Sequence, residues 1–329
     1  MNNKEELEKG QEYLEKLKEK YDVIGQDFYD YLEGLVQSKG LNYWDYIHVD
    51  SLLGLQVPRT DYPDEMIFIT YHQICELYFK LIKQEIQLLT DTERKEFLEL
   101  KNWQKRIARV NNYFKHLCNS FDIMKMGMDR YEFAKFRMAL LPASGFQGAQ
   151  FRHIEIMSTN LNSLLDEEGR AKRDLPLEKL YDHIYWKKGG IDLKTQKKTL
   201  TLVEFEEKYN DEFKLMIKEY KFKNIAYHFY KADNLIKHDE KLRELLRAYD
   251  RWINVFWKLS HLMASSRHLS MDDTGTGGTN WREYLPPKSR FQRIIFFETL
   301  WTDQEKQEWG KLGVQKHFKE IVESQWLKA

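Results

Sequence analysis

The sequence predicts an all-α protein built as a helical bundle, and two observations carry that prediction. Helix breakers are scarce and clustered: the 329 residues hold 6 Pro and 16 Gly, with neither type between Asp64 and Met126 nor between Ile191 and Thr274. Stretches that long, rich in Leu, Lys, Glu and aromatics, read as helices joined by short turns. The second observation is the aromatic content, 9 Trp, 19 Tyr and 19 Phe or 14% of the chain, which excludes a disordered polymer and points to a large core.

The elements follow in order. Residues 4–37 repeat apolar side chains at helical spacing, and a Tyr-rich segment, Tyr43-Trp44-Asp45-Tyr46-Ile47, precedes the breakers Pro58 and Pro63. Asp64-Glu65 then puts two acids at a helix start, where the dipole favours them. The helix from there to about Leu89 is apolar on nearly every face, as expected at the centre of a bundle. Further helices are predicted over 92–117, 119–140, 148–164, 204–237, 239–268 and 288–299, with a last one from 302. The Lys/Asp-rich segment 165–200, which carries Gly189-Gly190, reads as a small inserted subdomain or long insertion within one domain, 1–329.

Composition narrows the function classes. Lys and Arg number 52 against 52 Asp and Glu, so the basic excess of a nucleic-acid binder is missing. No apolar run approaches the roughly 18 residues of a membrane span. The N-terminal Met1-Asn2-Asn3-Lys4-Glu5-Glu6 is unlike a signal peptide. Two cysteines, Cys75 and Cys118, make neither a disulfide framework nor a Cys-rich zinc site. These features predict a cytoplasmic protein with reduced thiols.

Three stretches could carry chemistry. Within the apolar helix, His72, Gln73, Glu76 and Lys80 form a polar stripe; the histidine is either a satisfied core residue or a site residue. Further on, Trp257, His261, Ser265 and His268 share a face, and Thr274-Gly275-Thr276-Gly277-Gly278-Thr279 follows. Such a loop either aims backbone N–H groups at a ligand or simply ends a helix. Phe133-Ala134-Lys135-Phe136-Arg137 runs into Leu141-Pro142-Ala143-Ser144-Gly145-Phe146-Gln147, where the arginine is a snorkelling surface cation or a clamp for a carboxylate.

Taken together, these stretches resemble the haem-dependent tryptophan 2,3-dioxygenase family. Four motifs occur in the family's order: Tyr43-x-x-Tyr46 with Leu52-Leu53 and Gln56; Asp64-Glu65-Met66-x-Phe68-Ile69-x-x-His72-Gln73 with Glu76-Leu77; Phe136-Arg137 with Pro142 to Gln147; and Trp257-x-x-x-His261 with Arg267 and Gly275-Thr276-Gly277-Gly278. The likeness spans most of residues 20–300, and four motifs jointly are far more specific than any one.

The resemblance implies an all-α homotetramer around a b-type haem, ferrous in the active state. The reaction it implies cleaves the indole C2–C3 bond of L-tryptophan with O2 and gives N-formylkynurenine, the first step of tryptophan degradation. By family position His261 is the proximal iron ligand, and a single neutral imidazole leaves the opposite face open. His72 lies on the distal side against the indole N–H. Arg137 clamps the substrate carboxylate, Thr276 binds its ammonium group, and Phe68 and Phe133 wall the indole. Ser144 and Gly145 line the oxygen side, and Tyr43 and Tyr46 reach into a neighbouring subunit's pocket. The chain departs from the family pattern at Gly148 and through 271–282, where Thr279-Asn280-Trp281-Arg282 follows Gly278 in place of the usual Ser/Thr-Ser-Gly. Two alternatives therefore stand beside the leading reading: a relative that oxygenates another indole, and a haem-binding or gas-sensing protein without turnover. The joint presence of His72, Arg137 and Ser144 counts against the latter.

Overall fold

In the computed structural model, which describes residues 3–25, 27–38, 40, 42–91, 99–172, 174–192, 195–269 and 294–309, the regular elements are helices and short 3-10 turns. Strand-like pairing among the described residues is limited to the isolated bridges Leu165–Ile184 and Ile191–Lys198. The all-α prediction holds. The chain divides into two compact units, Met1–Leu55 and Gln56–Ala329.

The first unit holds α1 (Asn3–Ile24), α2 (Phe28–Gln37), α3 (Tyr43–Ile47) and α4 (Val49–Leu53). The single periodic stretch 4–37 is thus two helices. Gly25 turns the chain at φ 71°, a conformation glycine adopts without steric cost. Asp27 then accepts the Tyr29 and Asp30 amides at 2.8 and 3.0 Å, satisfying two orphan donors of α2. The Tyr21 and Tyr31 rings stack across this turn, 3.8 Å apart.

In the second unit α5 (Asp64–Thr90) and α6 (Leu100–Gly127) lie antiparallel. Tyr71 meets Phe121 near one end, and Glu85 meets Arg106 and Arg109 near the other, at 2.7 and 3.0 Å. Both helices run through the core, and Tyr71, Phe79, Ile82, Ile86 and Leu89 of α5 are buried, but α5 is not apolar-packed on every face. On α6, Trp103, Ile107, Val110, Phe114, Leu117 and Phe121 are buried, whereas Met66, Leu77 and Leu81 of α5 are exposed. The predicted break near residue 118 is absent: α6 is continuous through Cys118, and the Ser120 hydroxyl donates back to the Leu117 carbonyl at 2.8 Å within it. The chain instead breaks at Met128, and Asp129 caps α7 (Arg130–Phe136). Next come α8 (Ala149–Ser158), which lies against α5, and α9 (Leu161–Leu164).

The segment 165–200 contains α10 (Glu167–Ala171), α11 (Leu177–Leu180) and 3-10 turns at Tyr181–His183 and Tyr185–Gly190. Its Tyr181, Tyr185 and Trp186 are buried in the same apolar core as α5 and α6. A side chain on Gly190 would come within 2.7 Å of Leu202 Cβ, so only glycine allows this close approach to the next helix. The predicted helix 204–237 divides into α12 (Leu200–Tyr220), α13 (Ile225–Lys231) and α14 (Asn234–His238). Asn224 and Asp233 cap the last two through their side chains.

Finally α15 (Glu240–Arg251) continues through a π turn, Trp252–Phe256, into α16 (Trp257–His268). This rod runs along α6, with Tyr249 at Phe114, Trp257 at Phe121 and His268 at Met124. Asp250, fully buried, anchors its middle. The carboxylate accepts the Phe296 and Phe297 amides, the Trp301 indole N–H and the Asn254 side-chain amide, all at 2.7–3.0 Å. Burial pushes its pKa up to about 6, although all four donors favour the charged form. Asparagine can serve only two of those donors. Asp250→Asn is expected to destabilise the chain by about 2–4 kcal/mol and lower its melting temperature by several degrees. An unchanged melting curve would show that the anchor carries no stability.

Candidate active site

His72 stands on α5 one turn after Phe68. Its Nδ1–H donates to the Phe68 carbonyl at 2.7 Å, which fixes the neutral tautomer and leaves Nε2 as an acceptor. Burial holds its pKa below the ordinary imidazole value, so the ring is uncharged at neutral pH. The ring lies 4.2 Å from Phe68 and edge-on to Tyr71 at 5.7 Å.

His261 approaches from α16. Burial first, and then the nearby His72, drop its pKa to about 4. The second cause shows that the two imidazoles, from separate helices, lie within electrostatic reach of each other. Its Nδ1 is buried with no hydrogen-bond partner, and its ring meets Phe121 edge-on at 5.8 Å. His268, on the same helical face, is differently placed. Its Nε2–H donates to the Met124 carbonyl at 2.6 Å, which engages that nitrogen in holding α16 to α6.

An aromatic cluster links His72 to His268. Phe68 lies 6.0 Å from Phe133 and 5.8 Å from Phe136, and Phe133 lies 5.2 Å from His268. Helices α5, α7 and α16 therefore converge on one apolar space. Arg137 is half-buried and directly follows Phe136, at the turn that ends α7.

Ser144 starts the 3-10 turn Gly145–Gln147. Its Oγ accepts the Phe146 amide at 3.3 Å, while Gln147 Oε1 accepts the Ser144 amide at 3.2 Å. The serine oxygen is a cap, and its proton remains available to donate. A Cβ added at Gly145 would meet nothing within 4 Å, so packing does not demand glycine there. Hydrogen bonds from Thr201 to the Pro142 carbonyl and from Gln147 to Glu204 tie this turn to α12. Gln150 bonds Glu76 on α5, one turn beyond His72, at 2.8 Å. Tyr43 and Tyr46 lie on α3 of the first unit, both exposed. Thr276 and the rest of 271–282 lie outside the described residues.

Sequence reasoning missed three supports of this site. The π turn before α16 is one; extra-residue turns of this kind gather at functional sites. Glu65, read only as a dipole partner, is fully buried and accepts the Arg59 and Thr60 amides and the Thr60 hydroxyl at 2.6–2.8 Å. It pins the turn that feeds α5. The third is an exchange between helix starts: the Asp129 amide donates to Asp64 at 2.5 Å, and the Asp64 amide to Glu132 at 3.1 Å. It docks α7, with its wall residues, onto α5. Acidic residues at positions 64, 129 and 132 were the only available signal, and each reads alone as an ordinary cap.

The sequence profile of the tryptophan 2,3-dioxygenase family matches residues 32–180. The tryptophan 2,3-dioxygenases of Polaromonas naphthalenivorans (strain CJ2) and of Bradyrhizobium diazoefficiens are each 26% identical, over 291 and 277 residues, covering 80% of this chain and 91% and 92% of theirs. A shorter match, 39% over 149 residues, links 42% of this chain to 36% of the tryptophan 2,3-dioxygenase of Sorangium cellulosum. Fold and site describe an α-helical protein in which two imidazoles with lowered pKa, from separate helices, lie within an aromatic-rich core. The chain is similar to tryptophan 2,3-dioxygenases over about four fifths of its length, and its match to the family profile is confined to residues 32–180. Among the described residues no helix is long and apolar enough to cross a membrane, and Cys75 and Cys118 are free and buried.

Proposed function

We propose that this chain is a haem-dependent dioxygenase that opens the indole ring of L-tryptophan with O2 to give N-formylkynurenine. The observation that carries the reading is the pair of neutral imidazoles with unequal bonding. His72 has one nitrogen engaged and the other free to accept, whereas His261 carries a buried nitrogen without a partner. A neutral ring with an available lone pair, in an apolar setting, fits the proximal ligand of haem iron. The bound haem, ferrous haem b, supplies the activation of O2.

The chain's own residues bind and orient the substrate. His72 Nε2 accepts the indole N–H and stays uncharged. Phe68 and Phe133 enclose the bicycle and exclude water, and Arg137 pairs with the carboxylate through its planar fork. Thr276 receives the ammonium group, and Ser144 and Gly145 border the oxygen side. Both oxygen atoms enter the product, so turnover consumes no external electrons. The working form is a cytoplasmic homotetramer in which Tyr43 and Tyr46 complete a neighbouring subunit's pocket, and residues 1–329 act as one catalytic domain with 165–200 as an insertion.

The test is an anaerobic ferrous spectrum with and without L-tryptophan, followed by O2 and detection of N-formylkynurenine. A ferrous Soret band that shifts with tryptophan, then product, is expected; a chain without haem after supplementation would refute the reading. The departures through 271–282 favour one second reading, a relative that oxygenates another indole. Product mass after turnover in labelled O2 separates the two. His72→Ser is expected to keep haem and to lower turnover by roughly 10- to 100-fold, the effect of an indole N–H left without a good acceptor. Loss of the Soret band in that variant would instead make His72 part of the haem's support.

A further inference from the structure

Three polar side chains are buried beside α16 with no part in the proposed chemistry: Glu155 of α8, Tyr185 of the 165–200 segment, and Lys258 of α16 itself, each no more than 5% exposed. The Tyr185 hydroxyl donates to Glu155 at 2.5 Å, and the Lys258 ammonium donates to the Tyr185 oxygen at 3.4 Å while standing 4.8 Å from the ring centroid. One cation and one carboxylate, bridged by a phenol, thus link three elements in the core. Burial pushes the two charged groups in opposite directions, Glu155 up and Lys258 down to about 8, and their mutual attraction opposes both.

The position of Lys258 gives this link its meaning. It follows the π turn by two residues and precedes His261 by three. An extra residue in a turn rotates everything after it by about 100°, so α15 alone does not set the direction in which α16 side chains point. Asp250 holds the rod upstream of the π turn; downstream, the inward-facing charge is Lys258. Turning it outward would cost the buried Glu155 its largest electrostatic compensation, leaving the Tyr185 hydroxyl and the weaker pull of Arg152, a costly change. We propose that Lys258, Tyr185 and Glu155 are positioning residues that fix the rotation of α16 and so aim the imidazole of His261. This rests on the haem reading above, and it gives the 165–200 segment a share in the site through Tyr185.

The experiment uses the full haem-loaded chain and two variants. Tyr185→Phe keeps the ring and its packing and removes only the bridge. The double variant Lys258→Met with Glu155→Met removes both buried charges together, a change that ordinarily leaves stability intact. Melting temperature, the rate of haem loss to a scavenging globin and the iron–imidazole stretching band are measured on each. The double variant is expected to melt like the unmodified chain yet lose haem roughly tenfold faster or more, with a shifted or broadened band. Tyr185→Phe should show the same spectroscopic change in milder form. Unchanged band and haem retention in both variants would overturn the positioning role and leave the network a fold stabiliser. An unmodified chain that takes up no haem would overturn the functional reading itself, which the unmodified sample reveals separately.

Discussion

His261→Ala will yield a folded helical chain that no longer retains haem, while His268→Ala will keep its Soret band. Spacing alone leaves these two histidines as rivals, since they share a face of α16. Their bonding separates them. His268 donates to the Met124 carbonyl, so its removal leaves a buried acceptor unpaired and costs about 1–3 kcal/mol of stability. Both rings carry a buried Nδ1 without a partner, but among the described residues no hydrogen bond engages His261, whose pKa is lowered to about 4, so its loss leaves no described group unpaired. Absorbance titration with haem, alongside thermal melts, reads both consequences. A His268→Ala chain without a Soret band and a His261→Ala chain that keeps one would reverse the assignment.

Arg137→Leu will lower kcat/KM for L-tryptophan by roughly 30- to 1000-fold. A charge-assisted bidentate contact in a desolvated site contributes roughly 2–4 kcal/mol, and its removal leaves the substrate carboxylate buried and unpaired. Lysine at this position will rescue only part of the loss, because an ammonium lacks the planar fork. Tryptamine, without a carboxylate, will be a poor substrate for the unmodified chain and lose little more in the variant. Steady-state turnover of both compounds with both proteins is the measurement. Equal losses for tryptophan and tryptamine would make Arg137 a structural residue. A preference of the unmodified chain for a carboxylate-free indole would favour the relative that oxygenates another compound.

How far the sequence was legible follows from the kind of interaction concerned. The helical class was readable because breaker spacing is local information, and His72 with Glu76 could be placed on one stripe because i, i+4 spacing puts them together on any helix, whereas Phe68 entered only through the family resemblance. Helix ends were harder. Asp129, Asn224 and Asp233 are ordinary residues until a neighbouring amide points at them, and Gly25 until the chain turns there, so 4–37 reads as one helix where there are two and 204–237 as one where there are three. The π turn at 252–256 was invisible, because an apolar run reads alike at either pitch. Contacts distant in sequence, such as Glu155 with Lys258 or Asp250 with Phe296, leave no periodic trace. The reading of α5 as a core helix holds for Tyr71, Phe79, Ile82, Ile86 and Leu89, but apolar content does not say which face meets protein, and Met66, Leu77 and Leu81 are exposed.

The hydrogen bond from His72 to the Phe68 carbonyl has a consequence for how the pocket can change. Residue 68 supplies two things at once, a ring that sets the width of the space and a main-chain oxygen that sets the proton arrangement of the histidine above it. The oxygen belongs to the backbone and is present whatever side chain stands there. Width at this position can therefore drift, by mutation or by design, without altering which nitrogen of His72 the backbone engages and which is left to accept. Pocket shape and imidazole tautomer are separately adjustable at one residue, and a library at position 68 would sample indole substituents while holding the hydrogen-bonding chemistry constant.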